Sequence, residues 1–316
     1  MKQTAMKHRT RNLILIVFAV LIILAAGALA FIGTYFYHFA LDPSSENFFG
    51  GSDAAAPSPV TAASAWFDEG EAVQRTSEDG LTLTAYQFFD QPGHRYVVAC
   101  HGYGNQASGM AENSYHFYEM GFNALLPDAR GFGASEGDYA GMGWHERRDI
   151  VGWCNCILEQ DPQAEIILYG VSMGGATVMM TAGEADLPGA VKLVIEDCGY
   201  TSVWDEFAAQ LDQLFGLPTF PLLDVTSLIT QVKAGWNFKE ASALEQLKNC
   251  TIPILLIHGE EDDFVPFWMV QPLYDAVRAP KQLYTVPGAA HAESATVDPD
   301  GYWNTISGFL AEYLPD

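Results

Sequence analysis

A strand, a sharp turn and a helix around one serine constrain the fold of this chain more than any other feature. The sequence EIILYGVSMGGATVMMTAG occupies residues 165–183. Its apolar run Ile166–Tyr169 is typical of a buried strand, and small residues follow Ser172 at once. Gly170 and Gly174 flank the turn, where a Cβ would strike a neighbouring strand or helix. GxSxG also occurs by chance in loops, but this context predicts a serine exposed above a sheet edge as a catalytic nucleophile.

The alternation of apolar runs and helical patterns predicts an α/β fold. Strands are expected at Glu71–Thr76, Leu81–Phe89, Arg95–Ala99, Asn123–Leu126, Ile166–Tyr169, Val191–Glu196, Ile252–Ile257 and Gln282–Val286, and helices near Met110–Met120, Gly143–Leu158, Pro266–Val277 and Tyr302–Tyr313. This order favours a mainly parallel eight-stranded sheet with helices on both faces. Residues 201–248 interrupt the alternation with apolar helical sequence, broken at Gly216, Pro218 and Pro221. We expect them to form a helical cap over the C-terminal edge of the sheet.

A long apolar run near the N-terminus predicts a membrane-spanning helix. Residues 1–12 are polar and basic, and Leu13–Tyr35 contains about 23 residues without a charge, enough to cross a bilayer. The basic flank is expected to stay cytoplasmic and to place the rest of the chain outside. An A-x-A pattern at Ala28–Ala30 leaves open a cleaved signal peptide and a secreted domain, although the apolar run continues through Phe36. The prediction is a single-pass signal anchor at residues 13–36 of a cell-membrane protein.

The sequence after the apolar run predicts a linker followed by one folded domain. Residues 37–65 contain many small residues, Pro and Ser, which indicates a linker or stalk. The domain is expected at residues 66–316. The net charge of the chain is −24, and beyond residue 12 there are 11 basic and 39 acidic residues. Such an acidic surface repels nucleic-acid phosphates, so no nucleic-acid partner is expected.

The cysteines predict neither a metal site nor a disulfide framework. They are Cys100, Cys154, Cys156, Cys198 and Cys250. No zinc-type spacing is present among them, and their number is odd. We therefore expect buried free thiols, no metal and no organic cofactor.

A serine hydroxyl at neutral pH is a poor nucleophile, so a histidine must accept its proton and an acid must orient that histidine. The acidic candidates are Glu261, Asp262 and Asp263 after one predicted strand and Asp197 after another, and the histidine candidates are His101, His258 and His291. Asp262 and His291 follow successive strands and are expected at the same sheet edge as Ser172. His101 and His258 stand beside glycines at strand ends, which indicates histidines that fix loop geometry through hydrogen bonds.

These residues resemble the α/β-hydrolase superfamily, in particular its single-domain serine hydrolases with the motif H-G-x-x-D-x-x-V-P. Here the motif reads His258, Gly259, Asp262, Val265 and Pro266. The resemblance extends to His101-Gly102 and to the segments 128–135 and 197–202, and it spans roughly residues 70–313. The ordered set of motifs is specific for the superfamily but not for a substrate.

The resemblance implies a role for each matched position. Ser172 would be the nucleophile, Asp262 the orienting acid and His291 the general base. The backbone N–H groups of Met173 and Tyr103 would donate to the oxyanion of the tetrahedral intermediate.

Three further interpretations concern residues near these motifs. Tyr200 and Trp204 precede the cap and are candidates for the substrate pocket, with core packing as the alternative. Asp128 and Arg130 are expected to form an ion pair in the Gly-rich loop 127–137. The apolar cap suits a small or lipid-like acyl substrate, although the same residues could simply pack the cap onto the domain.

The predicted function is a membrane-anchored serine hydrolase that cleaves a carboxylic ester, a thioester or an amide through an acyl-enzyme. A serine aminopeptidase or an acyltransferase would use the same three side chains. A non-catalytic binding protein on this fold is the alternative from another class. Such proteins usually lack one of the catalytic residues, and none is missing here.

Overall fold

A computed structural model describes residues 2–44 and 61–315, with side chains described from Arg11 onward. The strands are β1 (Glu71–Thr76), β2 (Thr82–Phe88), β3 (Arg95–Cys100), β4 (Asn123–Pro127), β5 (Glu165–Val171), β6 (Val191–Asp197), β7 (Ile254–Gly259) and β8 (Lys281–Val286). The helices are α1 (Lys2–Leu41), α2 (Ala62–Phe67), α3 (Ala111–Glu119), α4 (Glu146–Gln160), α5 (Met173–Ala182), α6 (Val203–Phe215), α7 (Leu222–Ala234), α8 (Ala243–Leu247), α9 (Val270–Ala276), α10 (Ser294–Val297) and α11 (Pro299–Tyr313). Short 3-10 turns lie at Ala107–Met110 and Phe267–Met269.

The strands form one eight-stranded sheet in the order β1-β2-β4-β3-β5-β6-β7-β8. The pairs β1–β2 and β2–β4 are antiparallel, and the other pairs are parallel. Along β5, Ile166 and Leu168 pack into one apolar core, and Ile167 and Tyr169 pack into the other. Alternate side chains of a strand point to opposite faces, so a strand covered on both faces is apolar throughout. The predicted mainly parallel sheet is confirmed.

Two helices begin later than the sequence predicts. The helix expected from Gly143 begins at Glu146, because Met142 and Gly143 have φ of 51° and 82°. These values lie outside the helical region. The helix expected from Pro266 begins at Val270, after a 3-10 turn. These shifts leave the order of elements unchanged.

The interruption at residues 201–248 forms three cap helices, α6, α7 and α8. Helix α6 ends at Gly216, which has φ of 61° and donates its N–H to the carbonyl of Asp212. Helix α7 ends at Gly235, which has φ of 83°. Glycine adopts this left-handed conformation without the penalty of a Cβ, which explains why both helices end at glycines. Gln210 of α6 donates to the carbonyl of Phe264, so the cap lies against the loop that follows β7.

Helix α1 is long and apolar enough to cross a membrane. The segment Arg11–Leu41 contains an 18-residue window with a mean hydropathy of 3.2, and residues 11–28 are all exposed. This segment includes the span expected at residues 13–36. Of the linker expected at 37–65, residues 45–60 lie outside the described residues.

The described ends of that expected linker are helical. Helix α1 continues to Leu41, and Tyr37, Ala40 and Leu41 are buried. A Cβ on Gly33 would contact the side chains of Val225 and Ile229, so α1 packs closely on α7. Apolar residues beyond position 36 therefore extend the helix because the cap provides a surface to bury them.

The folded part of the chain also begins earlier than Trp66. Helix α2 starts after Thr61, whose hydroxyl accepts the N–H of Ser64 while the hydroxyl of Ser64 accepts the N–H of Thr61. This reciprocal capping box stabilises a helix start. Ala63 and Trp66 are buried, and the ring of Trp66 stacks on Phe88.

Candidate active site

Ser172 lies at the tight turn between β5 and α5. Its φ of 59° is unusual for a residue other than glycine and marks local backbone strain. The N–H of Ser172 donates to the carbonyl oxygen of Asp197 at 2.8 Å, which fixes the turn against β6. A Cβ on Gly170 would overlap the backbone of Gly174, so the helix approaches the strand at backbone distance. The turn predicted from the sequence is present.

The side chains of Ser172, His291 and Asp262 form a chain of hydrogen bonds. Nε2 of His291 is 2.9 Å from Oγ of Ser172, and Nδ1 of His291 is 2.8 Å from Oδ2 of Asp262. A carboxylate accepts, so Nδ1 carries the proton and Nε2 is left to accept the serine proton. Ser172 and Asp262 are buried, at 7% and 4% exposure. Water therefore has little access to these hydrogen bonds.

The loop after β7 holds Asp262 in one orientation. Its Oδ1 accepts the N–H groups of Phe264 and Val265, at 3.0 and 2.9 Å. The neighbouring candidates Glu261 and Asp263 are exposed. With Oδ1 held by the backbone, Oδ2 of Asp262 faces His291.

His258 supports the same loop. It is wholly buried, and its Nε2 donates to the carbonyl of Val265 at 2.9 Å. Burial lowers the pKa of His258, which favours the neutral ring. The expected loop-fixing role of His258 is confirmed.

Asp197, the alternative acid, lies at the end of β6 and has other partners. Its Oδ1 accepts the hydroxyl of Ser294 at 3.2 Å, and Tyr302 also hydrogen-bonds to its carboxyl group. Burial raises the pKa of Asp197 to about 7, although both hydrogen bonds oppose that rise. The carboxyl group that lies within hydrogen-bond distance of Nδ1 of His291 is that of Asp262, at 2.8 Å.

The loop after β3 approaches Ser172 from the other side. A Cβ on Gly102 would lie 3.4 Å from the Cβ of Ser172. His101 fixes this loop, since Nδ1 donates to the carbonyl of Gly102 at 2.7 Å and Nε2 accepts the N–H of Ala129 at 2.9 Å. Burial lowers the pKa of His101, consistent with a neutral ring that both donates and accepts. Its expected loop-fixing role is confirmed.

The two expected oxyanion donors are Met173, which directly follows Ser172 in the chain, and Tyr103, which follows the Gly102 that approaches Ser172. The peptide N–H of Tyr103 follows Gly102 directly, and Met173 is the first residue of α5. The N–H groups of a first helical turn have no acceptor within their own helix, and the helix dipole is positive at this end. These are the two N–H groups expected to donate to the oxyanion that would form next to Ser172.

Known proteins share this fold and parts of this sequence. A family model described as "Serine aminopeptidase, S33" matches residues 91–216. The Pyrococcus furiosus esterase Pf2001 superposes with a TM-score of 0.64 at 22% identity, over 82% of this chain and 97% of that chain. The chain therefore has the α/β-hydrolase fold. The matched family model and this fold support a serine hydrolase of the α/β type.

The names of two sequence relatives of this chain state no activity. "Uncharacterized protein YqkD" of Bacillus subtilis is 27% identical over 77% of this chain and 82% of its own length. "Uncharacterized membrane protein YNL320W" of Saccharomyces cerevisiae is 25% identical over 75% of this chain and 78% of its own length. The similarity therefore extends over most of each chain.

The expected ion pair between Asp128 and Arg130 is wrong. The guanidinium of Arg130 binds Asp149 through two 2.8 Å hydrogen bonds and also binds Asp79 at 2.8 Å. Asp128 instead accepts backbone N–H groups of the loops beside it, from Ala107 at 2.7 Å and Ala134 at 2.8 Å. The partners of Arg130 therefore lie outside its own loop. Asp128 pairs with backbone N–H groups that would otherwise be buried without an acceptor.

Tyr200 and Trp204 make packing contacts in this hydrolase. Tyr200 is 2% exposed and donates its hydroxyl to the carbonyl of Met142 at 3.0 Å. Trp204 is half-buried, and the ammonium of Lys239 lies 3.9 Å from its ring centroid. These contacts favour core packing, the alternative left open by the sequence, over a pocket role.

The sequence interpretation missed one neighbour of the site. The ring of Phe264 packs against the ring of His291, with 4.9 Å between the centroids and an angle of 42° between the planes. Phe264 occupies a position that the H-G-x-x-D-x-x-V-P motif leaves variable, so the only signal was its place two residues after Asp262.

Ligand atoms of Cys198, Asp262 and His291 lie within 4.8 Å of one another, a grouping that could hold a metal ion. Asp262 already accepts hydrogen bonds at both oxygens. Burial raises the pKa of the Cys198 thiol well above its ordinary value, whereas a metal ligand must be a thiolate. The arrangement fits a hydrogen-bond network better than a metal site. All five cysteines are free, four of them buried.

Proposed function

We propose that this protein cleaves a carboxylic ester through an acyl-enzyme on Ser172, with His291 as general base and Asp262 as the orienting acid. The observation that carries the proposal is the hydrogen-bond chain from Asp262 through His291 to Ser172, with 2.8 and 2.9 Å between its atoms. Nucleophile, base and orienting acid stand within hydrogen-bond reach of one another, as acyl transfer requires.

In acylation, Oγ of Ser172 attacks the carbonyl carbon of the ester while Nε2 of His291 accepts the hydroxyl proton. The carboxylate of Asp262 stabilises the imidazolium that results. The carbonyl oxygen becomes an oxyanion, and the N–H groups of Met173 and Tyr103 donate to it. One such donor contributes about 3 kcal/mol to transition-state stabilisation. His291 then protonates the leaving alcohol as the carbon–oxygen bond breaks.

In deacylation, His291 accepts a proton from water, and the hydroxide formed attacks the acyl carbon. The bond to Ser172 breaks, and His291 returns the proton to Oγ. If an alcohol replaces this water, the same steps transfer the acyl group, which is the acyltransferase alternative. A thioester or an amide would react through the same intermediate.

A serine aminopeptidase is the second candidate, favoured by the description of the matching family model. A groove beside the loop of Asp262 is lined by the carboxylates of Asp205, Asp212 and Asp263. Carboxylates attract the ammonium group of a peptide N-terminus. A comparison of aminoacyl p-nitroanilides with p-nitrophenyl esters separates the two: a preference for the anilides would replace the esterase with the aminopeptidase.

A fluorophosphonate probe tests the proposed nucleophile. The probe should label the wild-type protein but not Ser172→Ala, while Ser307→Ala, at an exposed position on α11, should be labelled like the wild type. Equal labelling of wild type and Ser172→Ala would overturn the assignment. Unchanged hydrolysis of p-nitrophenyl esters by His291→Ala would favour the non-catalytic binding protein.

We also propose that α1 anchors the protein once in the cell membrane, with the hydrolase domain outside. The basic residues before position 12 and the apolar segment of α1 support this orientation. Protease added to intact cells should then digest the domain. Full protection would overturn the outward placement, and a mature protein lacking α1 would favour the secreted form.

A further inference from the structure

Strained backbone is concentrated around the active site. Among the described residues, those other than glycine with positive φ are Met142, Ser172, Cys198 and Ala292, at 51°, 59°, 49° and 58°. Ser172 is the proposed nucleophile, and Ala292 directly follows the proposed base His291. Such conformations persist only where the surrounding structure holds them. The contacts that hold these turns therefore also align the nucleophile with the base.

The end of strand β6 holds the turn of Ser172. The carbonyl oxygen of Asp197, the last residue of β6, accepts the N–H of Ser172 at 2.8 Å. Asp197 itself pairs with Val171 of β5 on one side and with Ile257 of β7 on the other. The next residue, Cys198, donates its N–H to the carbonyl of Ile257 at 2.9 Å. The backbone of Asp197 and Cys198 is therefore fixed between two strands and supports the turn.

The side chains of the same two residues hold the loop of His291. Oδ1 of Asp197 accepts the hydroxyl of Ser294, three residues after His291, at 3.2 Å. The backbone N–H of Ala292, one residue after His291, donates to the sulfur of Cys198. That sulfur also lies within 4.8 Å of a ring nitrogen of His291. Asp197 and Cys198 therefore contact the turn of the nucleophile through their backbone and the loop of the base through their side chains.

A buried chain of hydrogen bonds keeps the carboxyl group of Asp197 in one orientation. Tyr302 of α11 hydrogen-bonds to this carboxyl group, and its hydroxyl oxygen is 2.8 Å from that of Tyr169 in β5. The hydroxyl of Tyr169 accepts Nδ2 of Asn113 in α3 at 2.6 Å. Asp197, Tyr169 and Tyr302 are all buried. Buried polar networks with satisfied members are rigid, so the acceptor of Ser294 has a defined place.

We propose that Asp197 and Cys198 are positioning residues that set the distance between Oγ of Ser172 and Nε2 of His291. This inference rests on the proposed esterase function and adds two residues that neither transfer a proton nor bond to the substrate. Ser172 and His291 are 119 residues apart in the chain, and proton transfer requires them within hydrogen-bond reach. A misplacement of about 1 Å can lower the rate of an enzyme about 10²-fold. The shared contacts at the end of β6 keep the two side chains aligned.

Ser294→Ala tests the contact of Asp197 with the base loop in the full-length protein. In labelling by a fluorophosphonate, we expect the maximal rate constant to fall about tenfold, because a displaced base activates Ser172 less well. The half-saturating probe concentration should stay within twofold, since probe binding is unchanged. Ser294→Thr, which keeps a hydroxyl, should recover most of the lost rate, and Ser114→Ala, equally buried but on α3, should match the wild type. Wild-type labelling rates in Ser294→Ala would overturn the role of Asp197.

Cys198→Ala and Cys198→Ser test the second contact. Alanine cannot accept the N–H of Ala292, whereas the hydroxyl of serine can. We therefore expect the maximal labelling rate constant to fall about fivefold in Cys198→Ala and to stay within twofold of the wild type in Cys198→Ser. Equal rates in these two variants would overturn the role of the thiol.

Crystal structures of the wild type and Ser294→Ala provide a readout that does not depend on activity. Oγ of Ser172 is 2.9 Å from Nε2 of His291, and we expect this distance to exceed about 3.5 Å in the variant, beyond a hydrogen bond. An unchanged distance, together with ester hydrolysis that depends on Ser172, would refute the positioning role and leave the esterase intact. A lengthened distance in a protein whose wild type shows no hydrolysis dependent on Ser172 would refute the esterase and leave the positioning role intact.

Discussion

A Cβ on Gly174 would overlap the carbonyl oxygen of Cys100, so helix α5 and strand β3 meet at backbone distance. The overlapping atom belongs to the main chain, and no side-chain rotation can relieve the clash. Gly174→Ala should therefore lower the free energy of unfolding by more than about 3 kcal/mol, or prevent folding. Thermal and denaturant unfolding of the detergent-solubilised protein measures this effect.

The matched control for that substitution is Gly308→Ala in α11. A Cβ on Gly308 would have no heavy atom within 4 Å. Alanine in the middle of a helix is more favourable than glycine by about 0.5–1 kcal/mol, so this variant should be slightly more stable than the wild type. Equal destabilisation by both substitutions would contradict the close contact between Gly174 and Cys100.

Asp262→Asn tests the orienting acid. The carbonyl of the new amide can still accept the backbone N–H groups of Phe264 and Val265, but its NH₂ group then faces Nδ1 of His291. His291 would shift to the tautomer with a proton on Nε2 and could not accept the proton of Ser172. A fall in kcat of about 10⁴ is expected from the same substitution in a known triad.

Asp263→Asn is the control for that variant, because Asp263 is adjacent but exposed. With a p-nitrophenyl ester, which has no ammonium group to bind Asp263, its kcat should stay within twofold of the wild type. Comparable losses in both variants would show that the loop as a whole, rather than the carboxylate of Asp262, supports activity.

Asp197 should make stability depend on pH. Burial raises its pKa to about 7 in the folded protein, against about 3.9 for an unfolded chain. Between these values the folded state binds more protons, so stability is highest at low pH and falls as pH rises through this window. The fall between pH 5 and pH 8 should be about 3 kcal/mol for this group, at 1.36 kcal/mol per pKa unit.

Unfolding free energies at pH 5 and pH 8 measure that contribution. Asp197→Asn, which cannot ionise, should reduce the fall, whereas Asp300→Asn, at an exposed position, should keep it. The same fall in wild type and Asp197→Asn would mean that Asp197 is ionised throughout this range.

Arg130→Met tests the buried ion pair. Asp149 is 5% exposed and would lose the guanidinium that binds it through two hydrogen bonds. Removing one partner of a buried pair costs about 3–5 kcal/mol, because the other charge is left without compensation. Arg278→Met, at an exposed position, should change the unfolding free energy by less than about 0.5 kcal/mol. A small effect of Arg130→Met would contradict the buried pairing.

The central strands β3 to β7 could be predicted from the sequence because each is a short, largely apolar run bounded by polar or turn-forming residues. β5 illustrates this, since a strand buried on both faces cannot alternate polar and apolar residues. The positions of Ser172, Asp262 and His291 could be predicted because each lies just after a strand and parallel strands end at one edge. At these positions the local sequence pattern, a strand followed by a loop residue, already determines the place of the side chain in the fold.

Long-range contacts could not be predicted in the same way. Arg130 pairs with Asp149 and Asp79, which are 19 and 51 residues away along the chain. From the sequence, residues 37–41 could either extend the N-terminal apolar helix or begin a linker. The packing of α7 on α1 decides in favour of the helix. A single sequence contains no signal for such pairings.

The docking of α1 makes this long apolar helix a structural part of the folded domain. The carbonyl of Leu41 accepts the N–H of Ala140 at 2.8 Å, and the carbonyl of Asp42 accepts the hydroxyl of Tyr103 at 3.0 Å. A shortened, water-soluble version that starts at Thr61 would lose both acceptors and bare the face of α7 that α1 covers. Assays on such a truncated version would describe a molecule that has lost part of its packing, so any activity should be measured on the intact chain.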